Sequence, residues 1–276
     1  MRETILHRKA DNMTNEESQL PVELIGRLAR LRRVGVITGA GISQESGIQT
    51  YRGDGGLYNE DAGGSIMDSL RLSTLHQQPD VTWRTLSKMG QQIVEAKPNR
   101  GHLAIADIEK YCDSFVLLTQ NVDALHQRAG SNNVIDLHGD IHCARCMDCG
   151  HSVRLEIQQI AELESSPRCD DFQSGSSSCG GVMRPGVILF EEFLPPKKLV
   201  QLQHEFFDNM PELLISVGTS SQFQYIVEPM LLAKQAGRLT IEVNPEATEI
   251  SHLVDFHLKA KAGDVLPSLA KYLRAD

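Results

Sequence analysis

The chain has 276 residues, 41% of them hydrophobic, and a formal net charge of -9. That is enough apolar chain for one large core with a smaller insert, and the acidic balance argues against a grip on nucleic acid, which draws on clustered Lys and Arg. No apolar run approaches the roughly 18–20 residues that span a bilayer, so a soluble protein without membrane contact is expected.

Residues 1–20 lack the apolar core of a signal peptide and carry acidic residues that a mitochondrial transit peptide avoids. A disordered tail is expected there, on a cytoplasmic protein or, in a eukaryote, a nuclear one. Pro21 to Arg33, "PVELIGRLARLRR", spaces its leucines and isoleucine for a short amphipathic helix. The apolar run "RVGVITGAGIS" reads as a buried parallel strand that ends in glycines and feeds a helix. Residues 53–98 carry no strong strand signal and are expected as a helical segment beside that first loop. Further strands are predicted at 114–123, 133–139, 212–220 and 239–245, with helices over 99–111 and 225–237. This alternation implies an α/β fold with a doubly wound parallel sheet and ligands at the carboxyl ends of the strands. The large part would use about 21–52, 99–141 and 185–276. The polar, cysteine-rich stretch 142–184 reads as an inserted small module.

The strand ends carry the candidate chemistry. Gly39 and Gly41 suit a loop through which backbone approaches a pyrophosphate at a helix N-terminus. Their spacing, 39, 41, 47, departs from the dehydrogenase G-x-G-x-x-G, and a plain tight turn is the competing reading. Gln120, Asn121 and Asp123 suit a ribose or a carboxamide, or else an Asn/Asp helix cap. His138 follows a strand, where it reads as a general base or a structural histidine. Five of the six cysteines lie between 143 and 179, which favours metal over a disulfide scaffold. Cys146 and Cys149, followed by Cys169 and Cys179, form two groups suited to a tetrahedral zinc site. A thioredoxin-like redox pair would open a helix and lack the second group.

Read in order, "TGAGIS..SGI", "YRG", "KPNRGH", "TQNVDALH", "LHG", "C-x-x-CG", "CGG.MRP", "VGTS", "VN" and "GDVLPSL" resemble the sirtuin family of NAD-dependent protein deacylases over about 34–270. The resemblance implies a Rossmann-like large domain, a small zinc module and a helical cofactor-binding loop, with NAD and zinc as cofactors. Carried over by position, Gly39, Ala40, Gly41 and Ser43 would meet the pyrophosphate and ribose, and Tyr51 and Arg52 would belong to the cofactor loop. Gln120, Asn121 and Asp123 would form the nicotinamide ribose and carboxamide pocket. Gly218, Thr219, Ser220 and Asn244 would complete the dinucleotide site, with Asp264 and Val265 against adenine. His138 would be the catalytic base, with Asn121 beside it. Val187, Ile188 and Phe190 would line the acyl-lysine channel and the strand that pairs with a substrate peptide. The implied reaction is attack of an acyl-lysine carbonyl oxygen on C1′ of the nicotinamide ribose. Nicotinamide leaves, His138 takes a ribose hydroxyl proton, and lysine and O-acyl-ADP-ribose are released.

Several positions depart from the family pattern. Nine residues, "DDFQSGSSS", separate Cys169 from Cys179 where two are usual. The added loop closure costs roughly 1–1.5 kcal/mol, small beside structural zinc affinity. Cys143 stands as a spare thiol and an alternative ligand to Cys169. Glu191 occupies a position usually held by glycine. Family members specialised for acidic acyl groups carry a tyrosine and an arginine where this chain, aligned from Trp83, has Leu86 and Met89, so acetyl or longer apolar acyl chains are expected. Mono-ADP-ribosyl transfer on the same fold and a non-catalytic NAD-sensing scaffold are the rival readings.

Overall fold

The computed structural model describes residues 20–50, 63–171 and 179–274. Helix α1 (Val22–Leu28) buries Leu24 and Leu28, and Leu20, at the end of the stretch expected as a tail, joins the same core. The helix predicted as far as Arg33 stops early. The amides of Arg32 and Arg33 both donate to the Glu212 carboxylate, at 3.1 and 3.2 Å, which commits the chain to the extended strand β1 (Arg33–Thr38). A tight 3₁₀ turn (Ala40–Ser46) follows instead of an α-helix. The Gly41 amide donates to the Gly218 carbonyl at 2.8 Å, so this segment is drawn towards a neighbouring loop before it can wind as α-helix.

Helices α2 (Gly63–Ser69), α3 (Leu72–Gln77) and α4 (Pro79–Glu95) make up the described part of the expected helical segment. Then come α5 (Arg100–Tyr111), β2 (Ser114–Thr119), the short α6 (Leu125–Ala129) and β3 (Val134–Asp136). The cysteine-rich insert supplies β4 (Gly139–Cys146), β5 (Ser152–Arg154), α7 (Ile157–Ala161) and β6 (Met183–Val187). The chain returns through α8 (Pro196–Leu202), β7 (Leu213–Val217), α9 (Gln224–Gln235), β8 (Leu239–Val243), β9 (Phe256–Leu258) and α10 (Ala262–Arg274). No helix among the described residues is long and apolar enough to cross a membrane.

The predicted parallel sheet is present, in the order β3-β2-β1-β7-β8-β9. Every neighbouring pair in it is parallel. The strands are apolar on both faces because helices cover both. On one side β1, β7 and β8 pack against α1, α5 and α10 through residues such as Leu24, Ile105 and Leu269. On the other, Ile37, Leu118 and Leu214 meet α8 and α9 through Leu202, Ile226 and Met230. Strand β9 was not foreseen, since three residues at a sheet edge are too short to show a period. Strand order reverses between β1 and β7, so the loops leaving those strands diverge and open a crevice at the carboxyl edge.

Two insertions fold into one second lobe. The three-stranded sheet β5-β4-β6 is antiparallel and reaches beyond 142–184 at both ends, because Gly139 pairs with Val187. Helix α4 lies along it. The buried Trp83 ring donates from Nε1 to the Met183 carbonyl at 2.7 Å, Ser87 Oγ donates to the Ala161 carbonyl at 2.8 Å, and Gly90 leaves room for α7 to approach. Leu75, Leu86, Ile141, Ile160 and Met183 form the shared core.

Candidate functional site

A cavity of about 1110 Å³ lies in the crevice, between the sheet edge and the second lobe. Its walls bring together Gly39, Ala40, Gly41, Ser43, Gln120, Asn121, Asp123, His138, Gly218, Thr219, Ser220 and Asn244, with Val187, Ile188 and Phe190 on the lobe side. Residues more than 200 apart in sequence therefore share one wall, because β1, β2, β3, β7 and β8 all end at the same edge. Tyr51 and Arg52 lie outside the described residues. Asp264 and Val265 are a correction: neither lines the cavity, whereas Lys261 and Ala262 do. Val265 is buried in the core, because α10 turns its apolar face onto the sheet.

The glycines have a local reason to be glycines. A Cβ on Gly39 would sit 2.9 Å from the Gly218 carbonyl oxygen, and one on Gly41 would sit 2.7 Å from Gly218 Cα. Gly218 itself has φ 57, a left-handed conformation that a side chain disfavours. The first need for small residues is thus the contact between the β1 and β7 loops. Gly41→Ala is expected to push these loops apart, costing about 1–3 kcal/mol as overpacking. Thermal melts of the variant against the wild type measure the effect.

Beneath the cavity runs a polar, hydrogen-bonded floor. Asn121 Nδ2 donates to the Gly39 carbonyl at 3.1 Å and to Ser43 Oγ at 3.2 Å. Ser43 Oγ donates to Asp123 Oδ2 at 2.7 Å, and Asp123 Oδ1 accepts from the Leu125 amide at 2.9 Å. Gln120 Nε2 donates to Thr219 Oγ1 at 3.0 Å, and Asn244 Nδ2 to the Thr219 carbonyl at 3.0 Å. The Asn/Asp cap reading of this loop is met only in altered form: the N-cap of α6 is Ala124, without a side-chain cap, while Asp123 one residue earlier accepts from the Leu125 amide and holds Ser43 as well. Burial pushes the Asp123 carboxyl above its ordinary range.

Sequence reasoning gave no role to His102, although "KPNRGH" contains it. Nδ1 of His102 accepts the Asn99 amide at 3.3 Å, closing a capping box on α5, and Nε2 faces Ser43 Oγ at 3.5 Å. Burial lowers its pKa to about 4. The buried His126 packs beside it, with ring centroids 4.8 Å apart, and burial also keeps that ring neutral.

His138 follows β3 directly. Its Nε2 lies 2.9 Å from the Tyr225 hydroxyl, and burial pushes its pKa below 6.5 against a smaller upward pull from the Gln120 main chain. A neutral imidazole in a cleft can take a proton. Tyr225 is the second residue at the site that no sequence pattern singles out.

The inner wall on the lobe side is formed by Leu70, Leu86, Met89, Ile93, Val122 and Leu189. Glu191, at φ 77, is held in its left-handed conformation by Arg71 Nη1 at 3.1 Å and the Ser73 amide at 3.0 Å. Those bonds tie the turn after β6 to the start of α3.

The second lobe carries a metal centre's donor set. Cys146, Cys149, Cys169 and Cys179 place their sulfurs within 4.8 Å of one another, with Cys146–Cys179 at 3.4 Å and Cys149–Cys169 at 3.6 Å. Four thiolates about 2.3 Å from a zinc ion would be about 3.8 Å apart, so the cluster fits zinc. Cys143 stands apart, near Asp140 Oδ2 and Arg154 Nη1, each at 3.8 Å. It is three residues before Cys146 on a strand, and the pleat sends the two side chains to opposite faces.

Comparison with known proteins follows the same lines. The Sir2 family profile matches residues 39–225. NAD-dependent protein deacylase 2 of Pseudomonas aeruginosa is 39% identical over 263 residues, 93% of this chain and 99% of that protein. A Sir2 homologue in complex with NAD superposes with a TM-score of 0.77 at 34% identity, covering 93% of this chain and 95% of that one. A Sir2 protein bound to a deacetylated p53 peptide and 3′-O-acetyl ADP ribose superposes with a TM-score of 0.76 at 26% identity, covering 91% and 96%.

Proposed function

We propose, from the premise that this chain belongs to the Sir2 family and is an NAD-dependent protein deacylase, that His138 is its general base and that the apolar channel beside it takes acetyl-lysine. The observation carrying this reading is that His138, the loops 39–41 and 218–220, and Val187, Ile188 and Phe190 face one cavity. NAD, when bound, supplies the ribose carbon that accepts the acyl oxygen, with nicotinamide as the leaving group. The chain's residues do the rest. The loops after β1 and β7 hold the dinucleotide, with glycine at their contact, and Asn121 and Asp123 fix the pocket floor through Ser43. Val187, Ile188 and Phe190 orient the acylated lysine, consistent with the peptide and product bound by the Sir2 neighbour. His138, kept neutral by burial, takes the ribose hydroxyl proton at Nε2.

The channel wall contributes Leu86 and Met89 where a succinyl carboxylate would need a cation, and burying an unpaired carboxylate is costly. Deacetylation is expected to outrun desuccinylation by about tenfold or more. The protein with NAD and matched acetyl- and succinyl-lysine peptides, followed by mass spectrometry and nicotinamide release, tests both points. Transfer of ADP-ribose to the peptide without loss of the acyl group would refute the deacylase reading, and faster desuccinylation would refute only the channel assignment.

A further inference from the structure

The contact between His138 and Tyr225 reaches from the β3 end across to the first turn of α9. The Tyr225 hydroxyl is 2.9 Å from His138 Nε2. Its ring stacks on Phe223, with centroids 5.2 Å apart and planes 8° apart, and meets the imidazole at 90°. Both aromatic residues line the cavity. When the Tyr225 O–H donates to Nε2, the neutral ring carries its proton on Nδ1 and its lone pair on Nε2. Burial raises the Tyr225 phenol to about 12, so it remains an O–H donor at working pH. The carboxylates nearby are engaged elsewhere: Asp136 with Lys198, Asp140 with Arg154, Glu192 with Arg184 and Asp123 with Ser43.

We infer that Tyr225 is the positioning residue of the general base, fixing His138 in the Nδ1–H tautomer with its Nε2 lone pair aimed into the cleft. In the free enzyme the phenol takes the place of a ribose hydroxyl, one O–H donor standing for another. The imidazole is thereby aligned before substrate arrives, and stacking on Phe223 holds the phenol at Nε2 until the ribose hydroxyl displaces it. This inference rests on the assignment of His138 as the base.

Tyr225→Phe keeps the ring and its stack while removing one hydroxyl. Nicotinamide leaves before the base acts, so two rates separate the roles: return of labelled nicotinamide into NAD in the presence of acetyl-lysine peptide, and formation of deacetylated peptide. Deacetylation is expected to fall about tenfold, the scale of one hydrogen bond, with the exchange rate within about twofold of wild type. Nitrogen-15 spectra should show a single His138 tautomer in the wild type and a mixture in the variant. Equal losses in both rates would overturn the inference in favour of a purely structural tyrosine, as would unchanged or faster deacetylation. His138→Ala is run alongside. If that variant still deacetylates, the base assignment fails and the inference with it; if it does not, while Tyr225→Phe matches wild type, only the role of Tyr225 falls.

Discussion

His138→Ala is expected to lower deacetylation by about 10³-fold, within the range that a positioned general base contributes, while NAD still binds and nicotinamide is still released. The asymmetry follows from where His138 stands. It makes none of the contacts that hold the glycine loops together, and the floor of Asn121, Ser43 and Asp123 is bonded without it. Its loss removes a proton acceptor and leaves the dinucleotide site intact. The wild-type pH profile carries the same signature. With His138 as the proposed base, its neutral form is the active one, and burial depresses its pKa, so activity is expected to hold as pH falls to 6.5 and to decline only as pH passes below the depressed value. Single-turnover assays across pH, with nicotinamide and deacetylated peptide measured separately, check both statements. Parallel loss of the two products in the alanine variant would count against the assignment.

Cys146→Ser is expected to release zinc and unfold the second lobe, whereas Cys143→Ser is expected to keep the metal. Structural zinc sites in small modules contribute apparent binding free energies of about 10–16 kcal/mol, comparable to or larger than the whole stability of an ordinary domain, about 5–15 kcal/mol. Two of the four ligands, Cys146 and Cys169, are buried within the lobe's apolar core. Deacetylation should fall with zinc content, because the lobe supplies Val187, Ile188 and Phe190 to the cleft. Metal analysis of purified variants and thermal melts with and without a chelator measure the effect. A Cys143→Ser variant without zinc would show that the ligand set is wrong.

Much of this was legible in the sequence because the information is local to strand ends. Residues 34–41 announce a buried strand and a glycine loop within a few positions, and His138 and the Asn121 loop follow their strands in the same way. The reason for the glycines was not legible: the contact that excludes a Cβ at Gly41 comes from Gly218, and no local pattern records it. Tyr225 was invisible for a similar reason, since its bond to His138 depends on α9 and β3 meeting across the sheet. The question of Cys143 turns on backbone period. The sequence pattern already sets Cys143 aside as a spare thiol, with substitution for Cys169 as the alternative; the physical reason needs the strand, because β4 alternates its side chains and sends Cys143 and Cys146 to opposite faces. Val265 was misplaced by family analogy, which carried a position across without registering that its side chain belongs to the face of α10 against the sheet.

The Trp83 hydrogen bond to Met183 has a consequence for biosynthesis. The two halves of the second lobe are encoded 100 residues apart, and at about 5–20 residues per second a ribosome needs roughly 5–20 s to make the second after the first. During that interval α4 can pack on α2 and α3, which precede it, while the part of its face that meets Met183 stays uncovered. Completion of the second lobe's core therefore waits for the cysteine module to emerge.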